Sequence, residues 1–215
     1  MKTRFLLIYF LVFSFAEVFA QSSISFNFTP LATSRAYEVF FDEFSSDYGI
    51  KVKNVVGAQI GYERKKDDNK LLLFELAYYH ASLEKVDFDV AEEDLEFFEG
   101  LNSLKNYNDI DFSVYFGKLF NQGKRVQFPC YWGVGAGYLE GGFLNSLNIN
   151  FALKARVMTF LTQNLAIGVG ATFKLGLGMH INSGDDDYYK NYYEGDTPAF
   201  YNFRLSGDLG LSYYF

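Results

Sequence analysis

The sequence predicts an all-β fold, a transmembrane up-and-down antiparallel barrel of eight strands. Three observations predict it. Eight stretches alternate apolar and polar residues with a period of two, the mark of strands whose two faces meet different surroundings. The connections between them alternate in length. Aromatic residues make up 20% of the chain, with 25 Phe and 17 Tyr against one Trp, far more than one small core can hide.

The chain opens on a leader. Lys2 and Arg4 precede an apolar run from Phe5 to Ala16, and Val18-Phe19-Ala20 suits cleavage before Gln21, so residues 1–20 read as a secretory signal peptide. The run falls short of the roughly 20 apolar residues that span a bilayer as a helix. Residues 21–215 then form a single domain. Removing Lys2, Arg4 and Glu17 from 19 basic and 26 acidic residues leaves 17 and 25, a formal charge of −8. That argues against nucleic acid as a partner, because phosphate backbones need a basic face. The single cysteine, Cys130, excludes an internal disulfide framework.

The segments follow in order. Segment one, "ISFNFT", sets Ile24, Phe26 and Phe28 against Ser25, Asn27 and Thr29. Segment two, "VVGAQIGYE", sets Val56, Ala58, Ile60 and Tyr62 against Gly57, Gln59, Gly61 and Glu63. In segment three, "LLFELAYYH", Leu72, Phe74, Leu76 and Tyr78 oppose Glu75. Segment four, "IDFSVYFG", alternates Ile110, Phe112, Val114 and Phe116 with Asp111, Ser113 and Gly117. In segment five, "VQFPCYWGVGAGY", Val126, Phe128, Trp132, Val134 and Tyr138 face away from Gln127, Gly133, Gly135 and Gly137. Pro129 in this segment suggests a bulge or an imperfect ladder. Segments six to eight are the most regular. "LNINFALKARVMTFL" opposes Leu147, Ile149, Phe151, Leu153 and Val157 to Asn148, Asn150, Lys154 and Arg156. "LAIGVGATFKLGLGMHI" opposes nine apolar residues from Leu165 to Ile181 to Gly168, Gly170, Thr172, Lys174, Gly176 and Gly178. "AFYNFRLSGDLGLSYYF" keeps Tyr201, Phe203, Leu205, Leu209, Leu211, Tyr213 and Phe215 apart from Asn202, Arg204, Ser206, Asp208 and Ser212.

"RKKDDNK", "NQGK" and "TQN" are short turns after segments two, four and six, whereas segments one, three, five and seven lead into longer connections. Short turns on one rim and long ones on the other fit a barrel that crosses a bacterial outer membrane. The sign of the faces follows from volume. An eight-stranded barrel has a lumen just wide enough for side chains or one small ligand, so the large apolar residues belong outside, in lipid, with aromatic girdles at both interfaces. Cys130 then faces lipid and Pro129 faces in. Lys154, Arg156, Lys174 and Arg204 share the lumen with Glu63, Glu75, Asp111 and Asp208. Because an unpaired buried ion is costly, these eight charges are expected to form a neutral network that plugs the lumen.

With these features the sequence resembles the small outer-membrane β-barrel proteins of the OmpA/OmpX type over residues 21–215. The final alternation Leu209, Leu211, Tyr213, Phe215 resembles the family's assembly signal, which the barrel-assembly machinery recognises. The resemblance implies a monomer in the bacterial outer membrane, in contact with outer-membrane lipid and lipopolysaccharide. It also implies roles as various as adhesion, resistance to host factors, envelope integrity or small-molecule passage; fold does not choose among them. A peptidoglycan-binding domain, and with it the anchoring role of longer relatives, is not expected.

Candidate sites are few. The acidic connection from Glu84 to Lys105 interleaves eight carboxylates with Val86, Phe88, Val90, Leu95, Phe97 and Phe98, a hairpin extension or a surface for an extracellular ligand. Tyr188, Tyr189, Tyr192 and Tyr193 are a second candidate interaction surface or part of the upper girdle. Asp185, Asp186, Asp187, Glu194 and Asp196 offer oxygen ligands, but their spacing matches no calcium loop, and no metal or cofactor is expected. His80 and Ser82 share the lipid-facing parity and are similar to the catalytic pair of the barrel enzyme lipid A 3-O-deacylase. Their outward neighbours on segment four are Asn106 and Asn108, however, and Asp109 faces in, so a hydrolase is the weaker reading. The expected function is a non-enzymatic barrel with a plugged polar lumen and acidic, aromatic external loops; the alternative is a small, porin-like transport channel.

Overall fold

A computed structural model describes residues 22–39, 49–66, 69–83, 106–140, 145–181 and 199–215. The leader, the connection from Glu84 to Lys105, and the segment that holds Asp185 to Asp187, the four loop tyrosines, Glu194 and Asp196 lie outside these residues. Eight strands follow in chain order: β1 (Ser22–Val39), β2 (Gly49–Lys65), β3 (Lys70–Leu83), β4 (Asn106–Phe120), β5 (Val126–Glu140), β6 (Ser146–Phe160), β7 (Leu165–His180) and β8 (Ala199–Tyr214). Each pairs antiparallel with its neighbours, and β8 returns to β1 to close the barrel. Closure leaves no unpaired edge, the condition for a sheet to cross hydrocarbon.

The period of two becomes a wall with opposite faces. Phe26, Phe112, Trp132, Ile149, Leu177 and Leu211 stand on the outer face with about half or more of their surface uncovered. Ser25, Gln59, Ser113, Asn150, Thr172 and Ser206 are buried inside. This arrangement inverts that of a water-soluble protein, and it agrees with the volume argument. Cys130 is exposed on the outer wall and Pro129 is buried.

The strands run for 14 to 18 residues, longer than the roughly 9 to 11 that cross the hydrocarbon. At the long-connection end the alternation dissolves, as in "LATSRAYEV" of β1, yet pairing with β8 continues to Val39 opposite Ala199. The ladder needs only backbone groups, so it persists where the sequence alternation does not.

The short turns carry the expected backbone chemistry. Asn69 and Asn121 adopt φ of 62° and 56°, and Gly123 adopts 74°, the left-handed region that Asn tolerates and Gly enters freely. Irregularities lie in β1, where register shifts between Phe28 and Leu31 around Pro30, and in β2 between Lys53 and Val56. At Pro129 the β5–β6 ladder skips from Gln127 to Cys130 without a register shift. That is an imperfect ladder rather than a bulge, because a missing N–H costs bonds but adds no residue.

The interior holds more than the expected network of charges. Glycine, serine, asparagine and a few charges do not suffice to fill it: Tyr79, Tyr115 and Tyr131 are buried there together with Leu71, Leu73, Leu119 and Met158. Each tyrosine lies over a glycine directly across the ladder, Tyr79 over Gly57, Tyr131 over Gly117 and Tyr115 over Gly133. The ring occupies the space that a side chain on the partner would need.

Candidate functional site

The lumen is the one place where the described side chains converge chemically. Toward the short-turn end, Tyr131 Oη donates to Glu63. Arg156 Nη2 donates to Asn27 Oδ1 at 2.9 Å and to Ser212 Oγ at 3.4 Å. At mid-height Lys154 Nζ pairs with Glu75, donates to Gln59 Oε1 at 2.8 Å, and stands 3.8 Å from Asp208. Asp208 accepts from Thr29 at 2.7 Å, from Gln59 at 3.0 Å and from Thr172 at 3.0 Å. Toward the long-connection end Lys174 meets Asp111 at 3.0 Å, while Arg204 joins Asp109 and lies 3.3 Å from Asp111. Asn150 Nδ2 gives Asp111 a further bond of 2.8 Å.

These contacts cross the barrel rather than follow its wall. Arg204 of β8 reaches Asp109 and Asp111 of β4, four strands away round the closed sheet, and Lys154 of β6 reaches Glu75 three strands away. Tyr79 sits between layers. Gln59 Nε2 donates to its Oη at 3.0 Å, and its ring centroid lies 4.1 Å from Arg204 Cζ and 5.7 Å from Lys174 Nζ, a cation–π arrangement. Glycines make the crossings possible. A Cβ on Gly137 would stand 2.1 Å from Asp111 Oδ1, and one on Gly176 would stand 2.3 Å from Asn150 Oδ1 and 2.4 Å from Asn202 Oδ1.

The structure thus buries Glu63, Glu75, Asp111, Lys154, Arg156, Lys174, Arg204 and Asp208 inside the barrel. It adds Asp109, buried to 1% exposure and paired with Arg204, together with Gln59 and the three tyrosines. Asp109 was available to sequence reasoning by parity with Asp111. Leu209, Leu211, Tyr213 and Phe215 are outward and exposed, with backbone bonds between Phe215 and Ser22 at the seam.

His80 and Ser82 do not meet a carboxylate among the described residues. His80 Nδ1 lies 2.9 Å from Asn108 Oδ1, and Ser82 Oγ donates to Asn106 Oδ1 at 3.4 Å. Each is therefore tied across the ladder to an asparagine, and Asp109 is turned into the lumen. No cluster of metal-ligating side chains is present among the described residues.

No protein-family model matches the sequence, and no curated protein matches it by sequence. Solved structures do match the fold. Neisserial surface protein A is similar with a TM-score of 0.50 and 13% identity over 90% of this chain and 97% of that one. The outer membrane protein OprG from Pseudomonas aeruginosa gives 0.53 and 10% over 91% and 96%. Outer membrane protein AlkL, solved in DMPC lipid bilayers, gives 0.51 and 13% over 91% and 90%. The chain accordingly has the OmpA/OmpX-type fold of small eight-stranded outer-membrane barrels.

Proposed function

We propose that this chain is a non-enzymatic integral protein of a bacterial outer membrane, with a lumen sealed by its own side chains. Its work is done by the acidic, aromatic connections on the long-loop rim, which meet lipopolysaccharide or an extracellular ligand. The observation that carries this reading is the set of charged contacts spanning the barrel, above all Arg204 with Asp109 and Asp111 and Lys154 with Glu75. A solute would have to break buried pairs at several levels to pass, and each broken pair leaves ions uncompensated in a poorly hydrated space. The outer face, apolar along most of its height, supports lipid as its surroundings, and the outer-membrane proteins of like fold support the location. The barrel acts as a monomer, and the exposed alternation Leu209, Leu211, Tyr213, Phe215 serves as its label for the barrel-assembly machinery.

Single-channel recording in a planar bilayer tests the sealed lumen. The purified barrel is expected to give no reproducible conductance step; a stable step would favour a small transport channel. Deacylation of lipid A by the wild type, lost in Ser82→Ala, would overturn the non-enzymatic reading.

A further inference from the structure

The short-turn rim carries a row of cations that no carboxylate among the described residues compensates, although Lys118 Nζ lies 5.7 Å from the Phe120 ring centroid. Lys70 of β3 and Lys118 of β4 are direct cross-strand partners, both exposed on the outer wall. Arg64 of β2, also exposed, is opposite Leu72, two residues from Lys70. Lys66 is exposed beside them, its N–H bonded to the Lys70 carbonyl at 2.7 Å. Like charges placed directly opposite in an antiparallel pair repel. Among the described residues no carboxylate lies in ion-pair range of these four.

An aromatic belt adjoins the cations on the same wall. Phe116 is opposite Leu72 and Trp132, and the Phe116 and Trp132 ring centroids are 5.2 Å apart; Tyr62 stacks on Phe74 at 6.5 Å. Two residues along a strand cover roughly 6.6 Å, so Lys118 stands that far beyond Phe116 toward water. Phe120, exposed two residues past Lys118 with its ring centroid 5.7 Å from Lys118 Nζ, continues the belt around the cations. Aromatic girdles mark the membrane interface, the layer that also holds lipid phosphates. Charge along the sequence is polarised to match. The three short turns and their strand ends carry seven basic residues, Arg64, Lys65, Lys66, Lys70, Lys118, Lys124 and Arg125, against Asp67 and Asp68. The longer connections and their strand ends carry 18 acidic and six basic residues.

We propose that Arg64, Lys70 and Lys118 form a seat for the headgroup phosphate of an anionic phospholipid in the leaflet at the short-turn rim, an inference that rests on lipid surrounding the outer wall. A zwitterionic headgroup brings its own cation to the same place and gains less. The seat ties the barrel to one leaflet composition and fixes its depth there.

Trp132, the sole tryptophan of the chain, reports on the seat. The test reconstitutes the full barrel in vesicles containing a minor fraction of brominated lipid, either anionic phosphatidylglycerol or zwitterionic phosphatidylcholine, and reads quenching of Trp132. The anionic lipid is expected to quench beyond its bulk fraction, with added salt reducing the excess. Lys70→Gln, Lys118→Gln and Arg64→Gln should each lower the preference, by roughly fivefold per cation in relative affinity. Far-ultraviolet circular dichroism of each variant checks that the barrel is intact. Equal quenching by the two lipids overturns the seat, as does a preference that survives in the triple variant. If neither lipid quenches Trp132, the membrane-embedded reading fails and the seat falls with it.

Discussion

Gly57 lies directly across the β2–β3 ladder from Tyr79, and a Cβ on the glycine would stand 2.4 Å from Cδ1 of the ring. Tyr131 over Gly117 and Tyr115 over Gly133 repeat the relationship at 2.5 and 2.7 Å. Gly57→Ala, Gly117→Ala and Gly133→Ala should therefore each lose about 1–3 kcal/mol through overpacking, read as a shift in the urea midpoint of the refolded barrel. Gly123 has open space around it at φ 74°, so Gly123→Ala should cost only the backbone penalty of about 1 kcal/mol. Equal losses at all four positions would remove the ring-over-glycine explanation.

Lys154 and Glu75 form a buried pair with almost no solvent contact. Removing one partner strands the other charge, so Lys154→Met or Glu75→Leu should each lower stability by about 3–5 kcal/mol. The double variant should recover only part of that loss, since the stranded partner is gone but buried Asp208, 3.8 Å from Lys154 Nζ, loses its cation. Denaturation of the four proteins completes the cycle; additive losses would show that the pair does not act as a unit.

Tyr115 and Tyr131 fill the lumen on the short-turn side of the Lys154 layer, their ring centroids 6.3 Å apart. The double variant Tyr115→Ala and Tyr131→Ala should admit water and produce brief, flickering conductance in a planar bilayer where the parent is silent. A silent double variant would place the seal in the charged layers alone.

Phe215 exposes 37% of its surface and bonds to Ser22 through its backbone, N to O at 3.0 Å. Its side chain therefore adds little to the closed barrel. Phe215→Ala should lower the amount of protein inserted in cells several-fold while moving the stability of barrel refolded in detergent by less than about 1 kcal/mol. Immunoblots of membrane fractions, set beside denaturation curves, separate assembly from stability.

The connection from Glu84 to Lys105 joins β3 to β4. Loop-closure entropy changes slowly with length, so replacing residues 86–103 with a short Gly/Ser turn should leave stability within about 1 kcal/mol. A pull-down from host or envelope extract should lose its specific partner with the shortened barrel and keep it with the intact one.

Much of the fold was legible in the sequence because an apolar outer face and a polar packed interior impose a strict alternation. In β6 every inward residue from Asn148 to Arg156 is small or polar and every outward one bar Ala155 is larger and apolar, so its parity could not be misread. The lumen tyrosines were hidden for the opposite reason. Tyr79 follows Tyr78, Tyr115 lies between Val114 and Phe116, and Tyr131 precedes Trp132; in each run both faces look apolar and the period vanishes. The available signal was on the neighbouring strands, where Gly57, Gly117 and Gly133 leave room that large side chains fill. Partners such as Arg204 with Asp109 depend on which strands stand opposite each other in a closed cylinder, and no local pattern carries that. Strand ends such as "LATSRAYEV" were illegible because their sequence carries no period of two.

Ser22 and Phe215 are bonded neighbours, yet 193 residues of chain separate them, from 22 to 215. Bringing such distant ends together costs roughly 5 kcal/mol in chain entropy by the logarithmic rule, and little is regained until the last hairpin is in place. Adjacent hairpins can zip locally, but the β1–β8 junction is the slowest pairing to nucleate. Until it forms, the polypeptide exposes two sticky margins and a greasy flank to water, so its greatest danger of precipitating falls before ring completion, an interval in which an escorting chaperone would matter more than the strength of the finished barrel.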